Sequence, residues 1–139
     1  MSDSIAVLRH ATAQAAVARE AYAVTVRHVT GRPAARQPGP QFAVAGMRGA
    51  LDTMTALLDR TPDTLAAACT TAIFVDDAAE RVVTAAERLL AADAEGAARL
   101  AELRRELRAT PPPVPDDRCH ELAGKAALGI DPDATPRWL

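Results

Sequence analysis

The chain has 139 residues, a formal charge of −2 and a pI near 5.9, a length suited to one hydrophobic core. Hydrophobic residues make up 49% but aromatic ones only 3%, so the core must be built from Ala, Val and Leu at close helix contact rather than from rings. The acidic balance argues against broad electrostatic binding to nucleic acid, two cysteines are too few for a disulfide framework, and no apolar run is long enough to span a bilayer.

The N-terminus, MSDSIAVLRHATAQ, reaches Arg9 and His10 before any sustained apolar run, unlike a secretory leader, so a reduced, cytoplasmic setting is expected. Ser2, Asp3 and Ser4 are good N-cap types. The helix they open carries Leu8, Ala11, Ala15, Ala18, Tyr22 and Val29 on one face and should end near Gly31. GRPAARQPGP then reads as a loop from Gly31 to Pro40.

A second helix follows with Val44, Met47, Leu51, Met54 and Leu58 in steps of three and four. Inside it Gly46 and Gly49, beside Ala45 and Ala50, put small residues four apart although each glycine costs about 1 kcal/mol against alanine. Together these seven stripe and glycine positions are the expected contact surface for another helix, in the bundle or in a second copy.

Thr61-Pro62-Asp63 reads as a helix start, with Thr61 as cap and Pro62 first in the helix. From Leu65 the apolar stripe runs through Ala68, Ala72, Val75, Ala79, Val82, Ala86 and Leu89. Asp77 and Glu80 have the spacing of a capping box, which predicts a kink or restart near Asp76. Asp93 and Gly96 fall on the stripe's next positions, so the helix should bend, or end and restart, between Leu90 and Ala97. A shorter helix through Leu100, Leu103 and Leu107 ends at PPPVP, and a last one is expected from about Asp116 to Leu128, closed by Gly129.

The fold expected is an all-α, alanine-rich antiparallel bundle of three long and two shorter helices over residues 1–129, with an extended tail over 130–139. Long alanine faces bury little area within one chain, which points to a homodimer. The composition, rich in Ala, Arg and Asp with almost no Lys, is that of a bacterial high-GC genome.

Chemistry-bearing residues are few. Asp76, Asp77 and Glu80 form DDxxE on a helix, where carboxylates four apart share a face and would hold Mg²⁺ together. This is similar to the acidic helices of prenyl-diphosphate enzymes and all-α nucleotide pyrophosphohydrolases, but the second acidic motif those families need is missing. Cys119 and His120 are adjacent and therefore about 100° apart on a helix, unsuited to act as nucleophile and base. His10 and His28 are far apart along the first helix, and no cofactor motif is present.

Arginines cluster at Arg27, Arg32 and Arg36 and again at Arg99, Arg104, Arg105 and Arg108, where helix ends and intervening glutamates favour a solvated face over a nucleic-acid surface. In the tail, Arg137, Trp138 and Leu139 place the single tryptophan beside the terminus, where it would dock on the bundle or serve as a ligand for another protein. The reading is a non-enzymatic interaction or regulatory protein that self-associates through apolar helix faces. The alternatives are a metal-dependent enzyme built on the acidic helix and a nucleic-acid accessory factor.

Overall fold

A computed structural model describes residues 2–135, among which there are five α-helices and no strand. They are α1 (Asp3–Val29), α2 (Pro38–Asp59), α3 (Leu65–Leu89), α4 (Ala94–Ala109) and α5 (Asp116–Ala127), with a 3₁₀ turn at Pro33–Arg36. The expected division into three long and two shorter helices holds.

Side-chain contacts fix the directions. His28 near the end of α1 meets Asp93 just past α3, while Val7 near the start of α1 lines a small void with Ala72 and Ile73 of α3, so these two helices run parallel. α2 returns between them: Arg19 Nη2 donates to Thr55 Oγ1 at 2.7 Å, and Val29 lies near Pro40. α4 descends along α1 from the Arg99–Glu20 pair to the Thr110–His10 contact. The proline run interrupts it, and α5 continues downward along α3, with Asp116 and Cys119 beside Asp76. α4 and α5 thus form one broken fourth member of an up-down-up-down bundle.

Alanine builds the centre. α1 buries Ala11, Ala15, Ala18 and Ala21 and α3 buries Ala68, Ala72, Ala78, Ala79 and Ala86, and the α1–α3 contact is the most extensive in the protein. Small side chains let the two axes approach closely. Bulk comes from Met54, Leu100, Leu103, Val75, Val82 and Val83, all fully buried.

Helix ends match local chemistry, with three departures from expectation. Ser2 caps α1 as expected, accepting from Ile5 N, and Gly129 (φ +67°) ends α5 while Ile130 N–H reaches back to Lys125 O at 2.8 Å. α2 begins at Pro38, inside the expected loop, because prolines in a first turn lack only N–H groups that would find no helical partner. α3 begins at Leu65, not at Pro62: Thr61 takes a left-handed conformation (φ +49°), and Thr64 is the residue that caps, accepting from Ala67 N at 3.1 Å. No restart occurs near Asp76 either, since α3 is one helix through Asp77 and Glu80. The break after Leu89 is as expected, with Asp93 Oδ1 accepting from Gly96 N at 2.9 Å to open α4.

Candidate functional site: the acidic helix and the outer face of α1

The three carboxylates of the acidic helix are not brought together. Asp77 pairs with Arg81 on the surface at 3.1 Å, and Glu80 pairs with Arg104 of α4. Asp76 turns towards α5, where its Oδ1 is buried with no hydrogen-bond partner in a void of about 10 Å³ lined by His10, Val114, Asp116 and Cys119. Burial raises the Asp76 pKa above the ordinary carboxylate value, and the charge of His10 works in the opposite direction. Among the described residues no three His, Cys, Asp or Glu side chains are grouped to hold a metal ion. What the sequence presents as a cation site is thus two ion pairs and one half-buried carboxylate.

Cys119 and Cys69 lie on facing sides of α5 and α3 as buried free thiols. Burial, and then Cys69 itself, push the Cys119 thiol up to about 12, a direction opposite to that of a reactive cysteine.

Most clustered arginines are occupied by acids. Arg104 reaches Glu80, Glu87 and Thr84 of α3, and burial of its guanidinium is offset chiefly by the bond to Glu87, which holds its pKa up. Arg99 pairs with Glu102 at 2.9 Å and more loosely with Glu106 and Glu20 at 3.8 and 3.9 Å. Arg32 and His28 converge on Asp93 Oδ2 at 2.5 and 3.0 Å. These arginines close the bundle on itself rather than presenting a basic face to phosphates.

His10 and Gln14 have a structural task that their spacing did not reveal. Gln14 Nε2 donates to Leu107 O at 2.8 Å and His10 Nε2 lies 3.1 Å from Thr110 O, so α1 side chains satisfy carbonyls at the end of α4. A carbonyl only accepts, which puts the proton on His10 Nε2.

The helix-two surface is divided. Met47, Leu51 and Met54 are buried within the chain's own core and Val44 and Leu58 are half-buried, so this stripe is an internal seam rather than a free contact surface. Gly46 and Gly49 face outward, where a Cβ on either would meet nothing within 4 Å. Arg137, Trp138 and Leu139 lie outside the described residues.

The free surface that sequence reasoning missed is on α1. Ala6, Arg9, Ala13, Ala16, Glu20 and Ala23 follow one another in steps of three and four along its outer face, Arg9, Ala13, Ala16 and Ala23 exposed and Ala6 and Glu20 half-buried. The first five of them flank a groove of about 650 Å³ whose far wall is Arg99, Leu103, Glu106, Thr110, Pro111 and Pro113. The signal was present as a second heptad-spaced set on a helix whose buried face also accounts for its apolar residues. Comparison of the chain with protein-family models, curated proteins and solved structures finds no match.

Proposed function

We propose that the protein is a non-enzymatic interaction protein that works by self-association, and that the associating surface is the outer face of α1 rather than the α2 stripe. The observation that supports this is the series of exposed Ala13, Ala16 and Ala23 and half-buried Ala6, the first two and Ala6 lining the groove between α1 and α4. Alanine on a solvent-facing seam gains nothing from water, and it permits a second helix to approach the backbone closely. Ile5, 52% exposed, extends the same apolar strip. The absence of converging carboxylates among the described residues, and the pairing of Arg32, Arg99, Arg104 and Arg108 with acids, give the enzyme and nucleic-acid alternatives no comparable support.

Sedimentation equilibrium of the full chain at micromolar concentration tests the proposal. A dimer is expected, weakened by Ala16→Arg. A chain that stays monomeric into the hundred-micromolar range would overturn it.

A further inference from the structure

On the reading that the chain self-associates through α1, we infer that two copies pair their α1 helices antiparallel about a two-fold axis between Ala13 and Ala16, with Arg9 of each chain against the partner's Glu20. The order of residues along the exposed seam carries this inference. In antiparallel alignment Ala6 falls opposite the partner's Ala23, Arg9 opposite the partner's Glu20, and Ala13 opposite the partner's Ala16. Every layer is then either alanine on alanine or acid on base. Parallel alignment sets Arg9 on Arg9 and Glu20 on Glu20, which repels in both layers.

Neighbouring positions agree with the same register. Ile5, 52% exposed, comes beside the partner's half-buried Val26. The partner's α1 also enters the groove between α1 and α4, where Leu103, Pro111 and Pro113 form the apolar part of a wall that Arg99 and Glu106 border. Glu20 is available for the contact because its own-chain pair with Arg99 is loose, at 3.9 Å, while Arg99 is held at 2.9 Å by Glu102. Arg9 and Glu20 of one chain are eleven residues apart, about 16 Å along the helix, so they cannot pair with each other.

That separation makes charge exchange decisive. Arg9→Glu alone places two glutamates in each outer layer of the dimer, and Glu20→Arg alone places two arginines there. Each should weaken dimerisation about tenfold, as two exposed pairs change from attraction to repulsion. The double variant R9E/E20R restores complementarity only across an antiparallel interface and should return to the wild-type dissociation constant. Mixing the two single variants should likewise recover a heterodimer. Melting temperatures of the single variants, measured where the wild type is monomeric, show that the fold itself is intact, and Arg9→Ala serves as a milder variant should Arg9→Glu fail to fold. If the wild type dimerises but R9E/E20R remains as weak as the single variants, the antiparallel register is wrong while self-association stands. If the wild type does not dimerise, both fall.

Discussion

Asp93 ties α1, the turn after it and the start of α4 together through one side chain. Its Oδ1 caps α4 through Gly96 N–H, and its Oδ2 receives His28 from α1 and Arg32 from the turn that follows. The cap bond first, then His28 and Arg32, hold its pKa at about 2, below the ordinary 3.8. A depressed carboxylate contributes stability that is fully present above its unfolded value and is lost as pH falls through the folded one. Asp93→Asn keeps an acceptor for the cap and loses the charge, whereas Asp93→Ala loses both. Thermal melts at neutral pH should therefore rank wild type above Asn and Asn above Ala, with the gap between wild type and Asn closing as pH falls from about 4 to about 2. Equal melting of the Asn and Ala variants would show that the cap contributes nothing.

Asp76 has the opposite sign. Burial raises its pKa, so its protonated form favours the fold, and stability declines as pH rises from the ordinary carboxylate value through the folded one. A neutral isostere removes that penalty. Asp76→Asn should raise the melting temperature at neutral pH and leave it nearly unchanged in acid, which calorimetry at two pH values would check; a fall at neutral pH would mean that the charge of His10 outweighs burial.

Between elements, Arg104 joins the broken fourth member to α3. It spans Glu80 and Glu87, two turns apart on α3, and only 16% of its side chain is exposed. Arg104→Met keeps the aliphatic stem but strands Glu87 and leaves Glu80 only its looser 3.6 Å pair with Arg108, and should cost about 1–3 kcal/mol in denaturant unfolding; Arg104→Lys recovers only part because an ammonium lacks the fork that reaches two acids. An unchanged midpoint for Arg104→Met would show these pairs to be worth no more than ordinary surface ones.

This same contact explains where helix boundaries were legible and where they were not. Periodicity marks α3 from Leu65 to Leu89 because its buried face is continuous, and Asp93 and Gly96 mark its end because neither suits a buried stripe. Asp77 and Glu80, by contrast, look like a restart when only local rules apply. Their partners are Arg81 one turn on and Arg104 on another helix, and the second of these is invisible to a pattern that considers one helix at a time. The α2 stripe was legible as apolar, but spacing alone does not say whether it faces its own core or another chain. For the candidate site the failure has the same root: a carboxylate triplet defines a helix face, and only the neighbouring helices decide what that face meets.

At the scale of the molecule, one short element is docked on the alanine centre without being part of it. α1 and α3 share the most extensive contact, while α5 is twelve residues long, is reached through a proline run that buries Val114, and rests on α3 through Cys119 and Leu122. Short elements with few buried apolar groups open at lower free energy than the whole chain unfolds. Cys69 and Cys119 report on that opening, since both thiols are buried where α5 meets α3 and Cys119 is held far from its thiolate form while docked. Native-state labelling with a thiol reagent should therefore proceed through undocking of α5, at matching rates for the two cysteines and with a weaker denaturant dependence than global unfolding. Leu122, 5% exposed, anchors the contact, and Leu122→Ala should weaken it by about 2–5 kcal/mol. At 1.4 kcal/mol per factor of ten, labelling of both thiols should accelerate by at least about thirtyfold. The helicity of α1 to α4, followed by hydrogen exchange, should be retained. Labelling that follows global unfolding in both proteins would show that α5 belongs to the same cooperative unit as the α1–α3 core, and that the proline run joins the two parts of the fourth member rather than separating them.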